Sequence, residues 1–266
     1  MLRSLYRYRS FIWQHALNDM RHRYAGTAMG VVWNVIHPLS LMAVYALVFS
    51  LFIARFIPGP DGRNVPYVVF LCSGFFPWMA FAECLTRGST AFASNAAYLK
   101  KLPIPEQVFV AQGAASATLG LVISFSLLLA VSMPLGIRLT WYWLLLPIPL
   151  ILLQAVGFGF GLILGTLNVF FTDVGQLIGI AMGLLFWLAP IIYPLNDPRI
   201  VKRPWLLFTL ECQPVTPAIE ALRDLFLWRQ LPPLWTFAAL AAWAAGTILV
   251  GCLMLHALRA EIRDVI

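Results

Sequence analysis

Aromatic side chains at helical spacing are the residues of this sequence best suited to bind a ligand. Three of them recur at intervals of four and three residues and so share one face of a helix, and three more follow later in the chain. The two groups are Tyr45, Phe49 and Phe52, and Phe186, Trp187 and Tyr193. Flat aromatic faces stack on sugar rings, and Tyr and Trp add a polar group. We therefore predict that both groups line a path for a sugar-containing ligand, with lipid-facing or packing rings as the alternative.

Recognisable catalytic and nucleotide-binding motifs are missing from the sequence. It contains no GxxxxGK(S/T) phosphate loop, no HExxH zinc motif and no GxSxG nucleophile motif. The four histidines are scattered and the four cysteines have no CxxC spacing, so we predict no metal site. We therefore predict a chain that is not an enzyme by itself and carries no cofactor of its own.

Six long uncharged stretches must position these residues, and they decide the fold class. Asp, Glu, Lys and Arg are absent from residues 34–54, 64–82, 107–137, 139–172, 174–196 and 230–258. A helix needs about 20 apolar residues to cross a hydrocarbon core of roughly 30 Å. The stretches are continuous rather than alternating, which excludes barrel strands. We predict an all-α integral membrane protein with six transmembrane helices, at about 34–55, 65–86, 107–134, 141–169, 174–194 and 234–257.

Ionisable side chains are nearly absent from the predicted spans, in a chain that is 61% hydrophobic and 11% charged. Glu83 alone lies close, near one end of the second span. Proton- and sodium-coupled carriers need ionisable groups in their spans, so the sequence favours a pore driven by another protein's energy. A membrane-embedded transferase needs acidic and basic residues gathered at one membrane face, and the sequence predicts no such gathering.

Residues 1–33 form a segment separate from the transmembrane domain at 34–266. Leu5, Tyr8, Phe11 and Ile12 recur at helical spacing while arginines occupy the other faces. This pattern predicts an amphipathic helix on the membrane surface, with an unstructured basic tail as the alternative. Because basic residues mark the cytoplasmic side, we predict that both termini are cytoplasmic.

Two connecting segments also have distinctive compositions. Residues 87–106 are polar, and within them Asn95 is suited to cap a short helix that Pro103 and Pro105 end. Such a projecting helix would contact a cytoplasmic partner, with a solvated connector as the alternative. Residues 194–234 are too long for an idle loop. Their apolar pieces are too short to span, so we predict re-entrant or interfacial helices on the periplasmic side.

Glycines recur every four residues in the fourth and fifth spans. The two rows are Gly157, Gly161 and Gly165, and Gly175, Gly179 and Gly183. Small residues on one face let helix backbones approach closely in lipid. We therefore predict that each row meets a neighbouring helix, either as static packing or as a sliding contact.

Six short motifs, in order, resemble those of type-two ABC exporter permeases for polysaccharides. They are Asp19 to Tyr24 with Trp33 and His37-Pro38, Gly74 to Trp78, Asn95 to Pro105, Leu167 to Asp173, Pro190 to Tyr193, and Pro214 to Asp224. Three positions depart from the family pattern. His37 and Gln213 stand where Asn precedes Pro, and Thr172 replaces Arg, which leaves Asp173 as the candidate contact there.

The resemblance implies a homodimeric pore in a bacterial inner membrane, with two copies of a separate cytoplasmic ATPase that binds ATP and Mg. It implies export of a polysaccharide linked to undecaprenyl diphosphate, such as O-antigen. Contact with the ATPase is then assigned to Asn95, Tyr98, Leu99, Lys100, Lys101 and Asp173, and substrate entry at the interface to Arg21, Arg23, Tyr24 and Trp33. Nothing points to nucleic acid. The alternatives are a capsule or teichoic-acid exporter, a drug exporter, and a glycosyl or lipid transferase.

Overall fold

The computed structural model describes residues 2–23, 25–52, 56–59 and 62–265, with only the backbone of Leu2, Ser50, Phe52, Ala260, Arg263 and Asp264. The long helices are α3 (Trp33–Phe52), α4 (Tyr67–Ser94), α6 (Gln107–Ser132), α7 (Pro147–Phe170), α8 (Val174–Leu188) and α12 (Leu234–Ala257). The terminal helices are α1 (Leu2–Arg7), α2 (Arg9–His22) and α13 (Arg259–Val265). Short helices are α5 (Ala96–Lys101), α9 (Pro198–Val201), α10 (Pro204–Glu211) and α11 (Thr216–Arg223). Strands β1 (Phe56–Pro58) and β2 (Asn64–Pro66) pair in antiparallel fashion between α3 and α4.

The predicted class of all-α membrane protein is confirmed. Within the described residues, five helices are long and apolar enough to cross a bilayer: Gly30–Phe49, Tyr67–Ser94, Gln107–Ser132, Trp141–Phe170 and Leu234–Ala257. The fifth predicted span differs, because α8 has 15 residues and ends at Leu188 rather than near 194. At 1.5 Å per residue it is about 22 Å long, shorter than a hydrocarbon core of roughly 30 Å.

Helix α8 stops early for a local reason. Ala189 adopts an extended conformation, with φ −70° and ψ 141°. It directly precedes Pro190, and the proline ring disfavours helical geometry in the residue before it. The chain then passes through α9, α10 and α11 and a π-helical turn at Asp224–Trp228. The predicted apolar pieces of residues 194–234 therefore fall in α10 and in α11 with its following turn.

Helix α4 forms the centre of the bundle, with α6 and α7 packed along it and α12 packed on α7. Glycines make the closest approaches. A Cβ atom added at Gly88 of α4 would lie 2.5 Å from the Gly161 Cα atom of α7. A Cβ atom added at Gly251 of α12 would lie 2.7 Å from the Leu162 Cβ atom. Small residues thus allow the close backbone contacts that hold helices together in lipid.

Both chain termini lie at one end of the bundle, which we call the terminal end. A group of buried residues there, the terminal cluster, comprises Phe92, Leu99, Ile104, Val108, Phe109, Phe158, Leu162, Leu255 and Ile262, with Ala91 and Val110. Leu5, Tyr8, Phe11 and Ile12 pack against it, and the Phe11 ring meets Phe109 edge-on at 6.4 Å. The apolar face predicted for residues 1–33 therefore packs on α6 of the same chain.

Residues 87–106 differ from the sequence prediction in two respects. Helix α4 continues to Ser94, so the first part of this segment belongs to a long helix. The Asn95 side chain does not cap α5. Instead its Nδ2 atom donates to the Ala91 carbonyl oxygen at 2.8 Å. The last carbonyls of a helix lack donors within the helix, and because Asn95 directly follows the last residue of α4, those carbonyls lie within reach of its amide. We call residues 95–105 the docking segment below.

Candidate functional site

Aromatic rings from three helices form one continuous group, which we call the aromatic wall. Its members are Tyr45 and Phe49 of α3, Tyr67, Phe75 and Trp78 of α4, and Phe186 of α8. Ring centroids lie 5.1 Å apart for Tyr45 and Phe75, 5.0 Å for Phe49 and Tyr67, and 6.1 Å for Phe75 and Phe186. Tyr67 and Trp78 are buried, whereas the other four rings are partly exposed. The wall therefore combines mutual packing with ring surface that remains open.

The other predicted lining residues are not members of the aromatic wall. Trp187 packs edge-on against Phe186 at 5.6 Å but turns outward, with 68% of its surface exposed. The Tyr193 ring makes no ring contact with the described members of the wall. Its hydroxyl instead donates to the Leu188 carbonyl oxygen at 2.8 Å. The Phe52 side chain lies outside the described residues. Tyr67, Phe75 and Trp78 were not among the predicted lining residues, although the aromatic content of the second span was a usable signal.

Side chains from other segments donate hydrogen bonds to the backbone carbonyls at and just after the end of α8. Gln213 donates from Nε2 to the Leu188 carbonyl oxygen at 3.1 Å, and the Tyr67 hydroxyl donates to the Ile192 carbonyl oxygen at 2.6 Å. Arg223 donates from Nη1 to Pro190 at 2.6 Å and from Nη2 to Ile191 at 2.9 Å. These bonds satisfy carbonyls that a continuing helix would have satisfied, and they fix the end of α8 beside the aromatic wall.

Arg223 is the largest fully buried side chain in the described part of the molecule. Its guanidinium group lies 3.6 Å from the centre of the Phe70 ring and 3.3 Å from a Glu220 carboxylate oxygen. Burial lowers the pKa of Arg223 to about 10, and the Glu220 carboxylate opposes that shift. The group therefore stays charged at neutral pH, as the carbonyl and carboxylate contacts require.

Four charged side chains of α2, its C-terminal flank and α4 form an ion-pair cluster. Arg87 contacts Glu83 at 2.8 Å and Asp19 at 3.0 Å, while Arg23 pairs with Glu83 and lies 3.8 Å from Asp19. The prediction that acidic and basic residues are not gathered at one place is wrong. The charges come from segments about 60 residues apart, so only folding brings them together. Their side chains remain about one-third exposed, so the pairs orient α2 more than they stabilise it.

A polar cleft of about 110 Å³ opens beside the ion-pair cluster, between α3, α4 and α6. Arg23, Asn34, His37, Glu83 and Ser124 contribute its polar lining. The predicted entry residues are spread around this region. Arg23 borders the cleft, Arg21 is exposed, Trp33 begins α3 with 37% of its surface exposed, and Tyr24 lies outside the described residues.

The docking segment presents a mixed surface at the terminal end. Lys100 and Lys101 are exposed, and Tyr98 has 49% of its surface exposed, whereas Leu99 is buried in the terminal cluster with 4% exposed. Asn95 is half-buried, because its amide is bonded to α4. Asp173 is exposed at the start of α8, and no hydrogen bond or ion pair seen among the described residues joins it to the docking segment.

The two glycine rows have different surroundings. Added Cβ atoms would lie 3.1 Å from Cys84 Sγ at Gly157, 3.1 Å from Val110 Cγ1 at Gly161 and 2.6 Å from the Gly88 carbonyl oxygen at Gly165. In the second row, Gly175 meets Asn168, and no atom of the described chain lies within 4 Å of such a Cβ atom at Gly179 or Gly183. Within the described residues only Gly175 of this row has a neighbour, so the close helix contact predicted for Gly179 and Gly183 stays a prediction.

The long apolar helices, their glycine-mediated packing and the aromatic wall define a multi-pass α-helical membrane protein. The chain belongs to the ABC-2 type transporter family, whose pattern matches residues 12–227. This result confirms the resemblance carried by the six sequence motifs.

Three relatives show how far this similarity extends along the chain. The O-antigen export system permease protein RfbA of Myxococcus xanthus is 27% identical over 254 residues, which cover 93% of this chain and 94% of that protein. Two RfbA proteins of the same description from Klebsiella pneumoniae are each 30% identical over 210 residues, covering 79% of this chain and 77% of theirs.

Proposed function

We propose that this chain is the transmembrane permease subunit of an ATP-driven exporter of O-antigen. The aromatic wall carries the proposal, because it presents partly exposed rings from α3, α4 and α8 along one path in a chain of the ABC-2 family. Sugar rings stack on such faces through weak contacts, and weak repeated contacts suit a polymer that must keep moving. The naming of three relatives as O-antigen export permeases supports the same substrate class.

The proposed assembly is a homodimer with two cytoplasmic ATPase subunits, which bind the ATP and Mg, in a bacterial inner membrane. The outer face of α8 supports a second copy, because Leu177, Ile180 and Leu184 are 62–64% exposed beside the open Gly179 and Gly183. Both termini are placed in the cytoplasm, which puts the docking segment and its exposed lysines on the side of the ATPase.

The proposed substrate is a polysaccharide carried on undecaprenyl diphosphate. Its diphosphate would meet Arg23 at the polar cleft, where Glu83 already pairs with that side chain. An entering anion would therefore displace Glu83 from Arg23. The sugar chain would follow along the aromatic wall.

One observation favours a second candidate. The ion-pair cluster gathers two carboxylates and two guanidinium groups beside a cleft, as a membrane-embedded glycosyl or lipid transferase requires. Because each charge in it is paired with an opposite one, and because the relatives are permeases, we favour export. A capsule or teichoic-acid exporter would use the same path with another polymer.

An export assay separates these functions. Inverted inner-membrane vesicles holding this chain and its partner ATPase are expected to move lipid-linked O-antigen into their lumen. The polymer would then become resistant to an added glycosidase, and resistance would require ATP. Sugar transfer onto lipid without ATP or the ATPase would contradict the proposal and support the transferase.

The same assay addresses the aromatic wall. The Tyr45→Ala and Phe49→Ala double variant is expected to lower the export rate by about tenfold, which corresponds to roughly 1.4 kcal/mol shared by two rings. Trp235→Ala removes an exposed ring of α12 and serves as the matched control. If the double variant melts at the wild-type temperature and exports at the wild-type rate, the wall does not line the path.

Docking on the ATPase is testable by crosslinking. A cysteine at the exposed Tyr98 is expected to crosslink to the ATPase in the assembled complex when a short bifunctional thiol reagent is added. A cysteine at the adjacent, buried Leu99 should react far less, and it provides the control for specific geometry. No crosslink from Tyr98 in an active complex would rule out the docking segment as the contact.

A further inference from the structure

Two consecutive residues at the start of α6 bind the N-terminal helix α1 and the C-terminal helix α13. The Arg259 Nε atom lies 3.1 and 3.0 Å from the two carboxylate oxygens of Glu106. The neighbouring Gln107 donates from Nε2 to the Ser4 hydroxyl oxygen at 2.8 Å. Glu106 and Gln107 directly follow the docking segment, so a displacement of that segment reaches both terminal regions through these contacts.

We propose that Glu106 and Arg259 are positioning residues that couple movement of the docking segment to the transport path. The inference rests on the proposed function, since it takes residues 95–105 as the contact with the ATPase. On this proposal, opening of the transport path after ATP hydrolysis depends on the ion pair between Glu106, which follows the docking segment, and Arg259 of the C-terminal helix.

Burial makes this pair suited to transmit a displacement. The Glu106 side chain is 1% exposed, whereas that of Arg259 is 48% exposed. A buried carboxylate is strongly unfavourable without a cation, and Arg259 supplies a cation to Glu106, so a movement of Glu106 acts directly on Arg259. Glu106 and Arg259 line a cleft together with Leu255 and His256, so the pair joins a buried carboxylate to a guanidinium group that reaches water. An ion pair exposed on both sides would separate at little cost.

Helix α2 extends the connection from the docking segment to the cleft. Near its start, Phe11 packs on Phe109, two residues beyond Gln107. Its 14 residues form a rod about 21 Å long. At the other end, Asp19 contacts Arg87, and Arg23 pairs with Glu83 at the mouth of the cleft. Packed side chains and ion pairs thus link the docking segment, both termini and the cleft without interruption.

The test uses the full complex of this chain with its ATPase in vesicles, and it measures transport and ATP hydrolysis together. Arg259→Gln is expected to keep binding the ATPase while polymer moved per ATP hydrolysed falls by about fivefold or more, the lower end of typical coupling factors. Glu106→Gln should show the same loss of ratio. Arg259→Lys retains the positive charge and should stay within about twofold of the wild type.

Glu261→Gln is the matched control, because it removes a charge from an exposed position of α13. Unchanged transport per ATP in both Gln variants would overturn the inference, and so would an equal loss in Arg259→Lys. A merely structural pair would lower the yield of complex without changing the ratio in the complex that forms. If the wild-type chain neither binds the ATPase nor exports polymer, the proposed function fails instead.

Discussion

Arg223→Met is expected to destabilise the protein more than the other single substitutions considered for this chain. The change leaves the Pro190 and Ile191 carbonyls without their donor and the Glu220 carboxylate without its cation. Removing one partner from a buried charged network costs about 3–5 kcal/mol. The end of α8 would lose its attachment to α11 and keep the bonds from Tyr67 and Gln213. We expect a melting temperature in detergent well below that of the wild type, with reduced yield.

Two further variants make this expectation specific. Arg203→Met makes the same chemical change at an exposed position and should shift stability by less than about 0.5 kcal/mol. Arg223→Lys keeps the charge but lacks the planar fork that reaches two carbonyls while lying on Phe70, so it should be intermediate. A wild-type melting temperature in Arg223→Met would show that the carbonyls find other donors.

Gly88→Ala should separate α4 from α7. The added methyl group would lie 2.5 Å from the Gly161 Cα atom, and a backbone atom cannot rotate away as a side chain can. The helices must therefore move apart, which loses van der Waals contact along the whole Gly157–Gly161–Gly165 row. Overpacking of this kind costs about 3 kcal/mol when backbones must shift. Thermal unfolding of the purified protein would detect the loss, together with lower ATPase activity of the complex.

Gly246→Ala supplies the comparison within another long helix. No described atom lies within 4 Å of a Cβ atom at that position of α12, and Ala favours helix over Gly by about 1 kcal/mol. This variant should be neutral or slightly stabilised. Equal melting temperatures of the Gly88→Ala and Gly246→Ala variants would mean that α4 and α7 are not in close contact in the membrane.

Features that depend on local residue patterns were predictable from the sequence. Uninterrupted apolar stretches identified five helices long enough to span a membrane, because a helix in lipid must present apolar side chains over its whole length. Short motifs in order identified the family. The spacing of Gly157, Gly161 and Gly165 indicated a close helix contact, since residues four apart share a helix face. Aromatic spacing likewise placed Tyr45 and Phe49 together on α3.

Contacts between distant segments were decided by the tertiary structure alone. Glu106 and Arg259 are 153 residues apart, and Arg223 lies 33 residues from the Pro190 carbonyl that it binds. Asp19 meets Arg87 because α2 folds back on α6 beside α4. Periodicity specifies which face of a helix is apolar or small, but it does not specify the partner of that face. Partners are selected by packing the whole bundle, where each buried charge and free carbonyl must find a counterpart. For that reason the sequence alone determined five of the predicted membrane helices and the family, while the early end of α8, the ion-pair cluster, the buried arginine and the joined terminal helices became visible only in the fold.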